Sequence, residues 1–522
     1  MIWDAIVIGS GFGGALAALP LVQSGQRVLM IERGGWVGRG PDNWGAYGAG
    51  LITPHYTADA AFRVSAGRGE YRASAWNCVG GQSVFYGGAS YRFRESDFEH
   101  NADVVGDSGA EWPFRYDDLE PYYARAENLL GVAGSPGPRF EPARSTPFPQ
   151  APPPLTPSAR RIAEAATRLK LTPSRIPLAI SYAASGNRRA CIMCGSCDGY
   201  ACASESKNDL ATGVIPNLLR QGLTLRANTV AVRLRVRSDR VTGVECVNRV
   251  TGERELFRAE RVLLAAGTLA TPHLLMASDL AKVNRAGHAV GRYLTRHRNA
   301  VILGAFTRPP NPTAEFDKQI AILDLYESAG SIQQLTPPAG LVKAYLPPGL
   351  RAPAVRLTSH ALGLLVIAED QPRADNSVTV TWKSTDRYGL PALRVNHTYS
   401  ERDERLAKVL VGQARAILRE AGAVFTVARP IQTFSHALGT VRMGGDPETA
   451  PLDAFGGYRG LENLFVVDGS ALPRSAGLNP SLTIAANALR IGSHLAAICD
   501  SHHGGAHQAR RSRHQLPTMS TR

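Results

Sequence analysis

The sequence predicts an α/β chain in which a βαβ-built domain is interleaved with an α+β domain on a mixed or antiparallel sheet. Three observations predict it. Asp4 to Gly35 reads as strand, glycine turn, helix and strand, ending on an acid. Arg261 to Pro272 repeats that logic far downstream, and residues 300–430 alternate apolar segments with polar turns. The chain therefore leaves its first domain and returns to it.

In the first element, Ala5 to Ile8 run into Gly9-Ser10-Gly11-Phe12-Gly13-Gly14, an alanine- and leucine-rich helix follows, and Val28 to Ile31 end on Glu32. Gly9 permits the tight turn, Gly11 lets the backbone approach a pyrophosphate, and Gly14 lets helix and strand pack closely. The helix N-terminus offers unpaired N–H groups to phosphates, while Glu32 can accept from ribose hydroxyls. This is a Rossmann-like dinucleotide site. Pro20 falls inside the helix and is expected to kink or break it.

With 522 residues and 44% hydrophobic content, the chain is long enough for two domains and a sizeable core. The net charge of +14 includes Arg510, Arg511, Arg513 and Arg522, and residues 501–522 read as a disordered basic tail rather than a contact for nucleic acid or membrane. No apolar run approaches the roughly 18 residues of a membrane span. No secretory signal precedes Asp4, so a cytoplasmic protein is expected.

After Gly35 the chain is rich in glycine and aromatics and reads as irregular. It leads to Asn77-Cys-Val-Gly80-Gly81-Gln-Ser83-Val-Phe85-Tyr-Gly87-Gly88, whose paired glycines imply a loop passing close to something flat or charged. Leu119 to Leu130 form an amphipathic packing helix, and the proline-rich residues 134–160 an exposed connection. Four of the seven cysteines, Cys191, Cys194, Cys197 and Cys202, then fall within twelve residues. Three such thiolates can grip an iron–sulfur cluster, four can hold zinc, and purely structural thiols are the third reading. No His follows a Cys-x-x-Cys, which excludes a c-type haem, and no metal is assigned.

Val230 to Val236 and Val241 to Val247 form a hairpin across Ser238-Asp239-Arg240, capping the dinucleotide domain. Ala361 to Ile367 and Ser377 to Trp382 belong to the second domain's sheet, and Asp403 to Ala421 to one amphipathic helix. The chemistry concentrates near the end, in Phe434-Ser-His436-Ala-Leu-Gly439-Thr440, Asp468-Gly469-Ser470 and Gly477-Leu478-Asn479-Pro480. Asn479 and Pro480 read as a helix start, a side-chain cap followed by proline at the first helical position. The alanine-rich helix behind them is apolar enough to be buried. Its N-terminus suits a developing negative charge.

Taken together and in this order, these segments resemble the glucose–methanol–choline (GMC) oxidoreductases, from about residue 4 to residue 498. The resemblance implies FAD, held by a domain split over residues 1–110, 204–298 and 432–500. It implies a substrate domain over 111–203 and 299–431, with 191–202 as a cysteine-rich insert, and oxidation of an alcohol to a carbonyl. The family's catalytic pair carries over onto His436 and Asn479. An imidazole with an ordinary pKa of about 6.5 suits removal of a hydroxyl proton, while Asn479 can hydrogen-bond the substrate oxygen but cannot take a proton.

By the same resemblance Glu32 meets the adenosine ribose, Val230 the adenine through its backbone, and Asp468 the ribityl chain or pyrophosphate. Gly9, Gly11, Gly14, Gly81, Ser83, Asn479 and Pro480 complete the FAD contacts. Some relatives attach flavin through a histidine where this chain has Phe85, so non-covalent FAD is expected. The expected partners are a small-molecule alcohol (sterol, sugar or aliphatic) and an electron-acceptor protein, without nucleic acid. Two alternatives stay open: a dehydrogenase subunit passing electrons through a Cys191–Cys202 cluster to a cytochrome, and a non-catalytic flavoprotein, against which the presence of both His436 and Asn479 argues.

Overall fold

Ile2–Ile8 is the central strand of the first sheet because it has a parallel neighbour on each side. Val28–Ile31 pairs with it on one edge, Ala5 opposite Val28, and Arg254–Leu264 on the other, Ile6 opposite Val262. The computed structural model describes residues 1–40, 43, 62–67, 69–73, 75–137, 140–184, 188–312, 316–335, 349 and 358–511. Thr224–Arg226 extends the sheet beyond Val28–Ile31, and Leu464–Val466 lies parallel to Arg254–Leu264. Residues 5–8 and 28–31 are all buried, which is why their aliphatic side chains run unbroken rather than alternating. The hairpin Thr229–Arg237 and Arg240–Asn248 hangs on the same long strand, as its alternation and short polar turn predict.

The helix Phe12–Gln23 packs against the last helix, Ser481–Arg511. A Cβ at Gly492 would stand 2.4 Å from the carbonyl oxygen of Ala17, so the two backbones touch where only glycine fits. The first helix runs unbroken through Pro20, against the expected break. Proline in the last turn removes only its own bond to the preceding turn, and the Ser24 N–H still reaches the Pro20 carbonyl at 3.0 Å. The last helix runs on to Arg511, into the segment expected to be a disordered tail. No proline interrupts it, and a helix already nucleated by buried turns lengthens by one hydrogen bond per residue. Residues 512–522 lie outside the described residues.

A second sheet of six strands is antiparallel, in the order Phe425–Pro430, Arg298–Ala305, Ala361–Ala368, Ser331–Gln334, Ile320–Ile322, Pro173–Arg175. Pro157–Arg168 and Glu401–Glu420 cover one face, burying Ile302, Ile332, Leu364, Leu410 and Ile417 between them. Both helices start on strong caps: the Thr156 hydroxyl accepts from Ala159 N–H ahead of Pro157, and Ser400 forms a reciprocal capping box with Asp403. The opposite face carries Ser331 and Gln333 and looks toward the first domain, where the Ser331 hydroxyl donates to the Gly477 carbonyl at 2.7 Å.

The third sheet was not foreseen. Ser377–Thr385, Pro391–Asn396, Phe62–Ala66 and Gly69–Ala73 pair in that order, so Ser377 to Trp382 leave the second domain's main sheet and part of the segment expected to be irregular forms a hairpin. Phe62 and Val64 alternate with Arg63 and Ser65, a period of two masked by the glycines around it. The parallel pairing of Val395 with Val64 closes the apolar side over Leu294 and Phe434.

Candidate active site

A cavity of about 1350 Å³ runs from the opening glycine turn past Glu32 and Val230 to Ala437, Pro480 and Ile484. Its first end is built by close approach. Gly9 has φ +106°, and a Cβ there would lie 2.1 Å from the Ala265 carbonyl oxygen; at Gly14 it would lie 1.9 Å from the Gly9 carbonyl oxygen. Gly11 is the opposite case, because a Cβ on it would meet nothing within 4 Å. That open cradle sits where Phe12–Gln23 begins with neither a side-chain cap nor an acid in its first turn, leaving N–H groups free for an anion. Gly81 closes over it, its own Cβ position 3.1 Å from the Gly11 Cα.

The acids at this end are engaged by the chain itself. Glu32 accepts from the Ser10 amide at 3.1 Å, the Ser10 hydroxyl at 2.6 Å and the Gly34 amide at 2.8 Å. Ser10 in turn accepts from the Gly80 N–H at 3.0 Å, so one hydroxyl ties the two glycine segments to the acid. Asp468 takes four donors: the Gly267 amide at 2.8 Å, Thr271 Oγ1 at 2.5 Å, and the amide and hydroxyl of Ser470 at 2.8 and 2.5 Å. Burial pushes both carboxyls above their ordinary range, and these donors oppose it. Ser83 does not line the cavity. Its buried hydroxyl donates to the Gly80 carbonyl at 2.6 Å and accepts from the Leu210 N–H at 3.0 Å, bracing the glycine loop from behind.

At the far end the fold brings His436 and Asn479 together. The Thr268 hydroxyl donates to the Ala437 carbonyl and the Thr440 hydroxyl to the Thr268 carbonyl, both at 2.6 Å, clamping the His436 segment to the turn after Arg254–Leu264. His436 Nε2 lies 3.5 Å from Asn479 Nδ2, and its Nδ1 lies 3.0 Å from Nδ1 of His297. Burial above all, with the nearby Lys318 cation adding to it, holds the His436 pKa well below 6.5, so the ring is neutral at pH 7. Asn479 does not cap its helix, contrary to expectation. The Ile484 N–H bonds the Pro480 carbonyl at 2.9 Å, which puts Pro480 at the cap position, and Asn479 Oδ1 is buried with no partner among the described residues. Pro480 and Ile484, at that helix start, line the cavity, so its unpaired N–H groups lie beside it.

Cys191, Cys194, Cys197 and Cys202 are all unpaired thiols. Among the described residues no three His, Cys, Asp or Glu side chains are placed to close on one ion. The loop is organised by Lys207, whose buried ammonium donates to the carbonyls of Tyr86, Cys197 and Tyr200 at 2.7, 2.9 and 2.7 Å. No helix among the described residues is long and apolar enough to cross a membrane.

Fold and cavity together define a dinucleotide-binding α/β protein. Two family models, both described as GMC oxidoreductase, match residues 4–299 and 372–488, and the chain belongs to that family. It is 32% identical to 6'''-hydroxyparomomycin C oxidase of Streptomyces lividus over 95% of this chain and 92% of that protein. It is 27% identical to 2-methyl-1,2-propanediol dehydrogenase of Mycolicibacterium austroafricanum, over 94% and 95% respectively. Among solved structures, a formate oxidase from Aspergillus oryzae, studied for modification of its FAD, superposes with TM-score 0.66 at 14% identity over 96% of this chain and 99% of that one. Membership makes the chain an FAD-dependent oxidoreductase acting on alcohol CH–OH groups. The residues fit that cofactor: Gly11 leaves open space at an uncapped helix start where a pyrophosphate would sit, and the cavity lining continues to Ala437, next in sequence to His436.

Proposed function

We propose that the chain oxidises a small polar alcohol bearing a second hydrogen-bond donor, with His436 as the base and Asn479 as its partner. Bound FAD supplies the hydride acceptor. His436 Nε2 takes the hydroxyl proton, and the Asn479 amide group, whose nitrogen lies near Nε2, donates an N–H to the substrate oxygen and holds it in line. The observation that carries this reading is the pairing itself: two polar groups 3.5 Å apart, each next in sequence to residues that line the cavity (Ser435 and Ala437 beside His436, Pro480 after Asn479), with Asn479 Oδ1 unpartnered among the described residues. The donor requirement comes from Gln333. Its Oε1 is buried without a partner among the described residues, while its amide nitrogen reaches Ser331 Oγ at 3.4 Å, the hydroxyl that donates to the Gly477 carbonyl. A polyol or sugar satisfies such an oxygen, and a sterol does not.

Glu32, Val230, Gly81 and Pro480 line the cavity and are proposed FAD contacts, with Asp468 acting through the Gly267 turn it braces. We propose that FAD is held non-covalently, since Phe85 offers no nucleophile where a histidine would be needed. A cytoplasmic location is supported by the six described cysteines, every one a free thiol. The testing experiment is anaerobic bleaching of the flavin absorbance by a panel of polyols, sugars, simple alcohols and sterols. Polyols or sugars are expected to bleach it fastest, and failure of every alcohol to do so would end the oxidase reading.

A further inference from the structure

His297 lies outside the pair just described, yet its ring is set against that of His436. It is buried, and the two rings stand at 86° with centroids 5.1 Å apart. One nitrogen of His297, Nε2, lies 2.8 Å from the Ser475 carbonyl oxygen. A carbonyl only accepts, so Nε2 carries the hydrogen. Burial lowers the His297 pKa and keeps the ring neutral. Its Nδ1 therefore holds a lone pair, and the hydrogen in the 3.0 Å contact between the rings belongs to His436 Nδ1. His436 Nε2 is left bare, facing Asn479.

We propose that His297 is a positioning residue that fixes the tautomer of His436, tying up its Nδ1–H so that the Nε2 lone pair faces the substrate hydroxyl. This rests on the reading of His436 as the base. When the substrate O–H bond breaks and the Nε2–H bond forms, the imidazolium keeps its Nδ1–H on the His297 lone pair, and that bond strengthens because its donor is now charged. No proton moves to His297.

The fold holds His297 with more constraints than packing requires. Its backbone has φ +64°, a conformation uncommon outside glycine and sustained only where surroundings over-determine it. Asp370 supplies that constraint. Its two oxygens accept from the Arg296 and His297 amides, each at 2.9 Å, and from the Ser475 hydroxyl at 3.0 Å. One buried carboxylate thus anchors both His297 and the residue whose carbonyl sets its tautomer. Tyr399 adds a hydroxyl donated to the His297 carbonyl at 2.9 Å. A charged group acting on His436 is Lys318, itself paired with Asp198 at 2.7 Å.

The test compares flavin-loaded parent protein with His297→Leu and His297→Asn. Asparagine tolerates the left-handed backbone and keeps an acceptor near the Nδ1 position, whereas leucine keeps neither. In ¹⁵N spectra of histidine-labelled protein, His436 (assigned by its loss in His436→Gln) is expected to show a protonated Nδ1 and a bare Nε2 in the parent and in His297→Asn. In His297→Leu the two tautomers mix. Flavin reduction then slows by about 10- to 100-fold, part of what a correctly held base contributes, and the acid limb of its pH profile moves to lower pH because the imidazolium has lost its acceptor.

A parent His436 protonated at Nε2 overturns the proposal, as does a His297→Asn variant as slow and as mixed as His297→Leu. If leucine blocks flavin uptake, the parent and His297→Asn spectra decide alone. Full-rate reduction in His436→Ala would remove the base and this proposal with it. A slow His436→Ala beside a full-rate His297→Leu overturns the proposal and spares the base.

Discussion

The two ends of the cavity use polar groups in opposite ways. At the glycine end every described acceptor of Asp468 is filled by the chain, Glu32 holds three of its donors internally, and Ser83 faces backward into the loop. Next to His436, Asn479 Oδ1 is buried without a partner among the described residues, as is Gln333 Oε1 on the second sheet. An unpaired buried acceptor costs about 1–3 kcal/mol, a cost that folding alone does not offset. Groups satisfied within the chain hold the glycine end in shape, whereas these two oxygens are open to a donor.

The largest effect that would probe the glycine end is Gly9→Ala. The added Cβ meets the Ala265 carbonyl at 2.1 Å with φ already at +106°, and overpacking of about 1–3 kcal/mol adds to the backbone strain. Soluble expression is expected to fail or the melting temperature to fall sharply; a variant melting with the parent would mean the turn is looser than described. At the other end the counterpart is His436→Ala. It should leave FAD absorbance intact and slow anaerobic flavin reduction by roughly 10²- to 10⁴-fold. Because the His436 pKa lies well below 6.5, the neutral base persists as pH falls, so the parent rate should stay flat from pH 8 to 6.5 and decline only below. A limb at or above 6.5 contradicts that environment.

Gly11→Ala separates building from binding at a single turn. Its Cβ points into open space, so melting of the flavin-free protein should match the parent. FAD affinity should fall by at least about tenfold, near 1.4 kcal/mol, because the methyl occupies the approach to the pyrophosphate. Equal affinity in a titration would place the cofactor elsewhere.

What the sequence disclosed follows the same division. The opening turn was legible because strand periodicity, glycine spacing and a terminal acid are local signals, and the last helix because its alanine-rich face is. His436 and Asn479 were legible through the resemblance. Asn479 was misread as a cap because cap preference is local, while its side chain is held by a residue 43 positions away. His297 carries no local signal at all: it reaches His436 only because Leu438 and Thr295 exchange backbone hydrogen bonds at 2.9 and 3.1 Å. The hairpin Phe62–Ala66 and Gly69–Ala73 was hidden by neighbouring glycines, and its partner strand lies in a distant stretch of chain. Tertiary pairing decides such positions, and a single sequence does not display it.

The finest distinction lies at Gln333, where binding and stability should move in opposite directions. Its neighbours on the strand are sorted by register: Ile332 and Gln334 face the helices, and Ser331 and Gln333 the opposite face, toward Gly477. Gln333→Leu removes a buried acceptor that has no partner in the free protein, so the melting temperature should hold or rise slightly. The same change deletes the acceptor proposed for a second substrate hydroxyl. The KM for a polyol should rise by about five- to tenfold, roughly 1 kcal/mol, with kcat less affected, while a simple alcohol lacking that hydroxyl should be oxidised as before. Parallel losses for both substrates would make Gln333 a packing residue and return the substrate to any small alcohol. A loss confined to the polyol would assign Gln333 to the group of polar atoms that the fold leaves open.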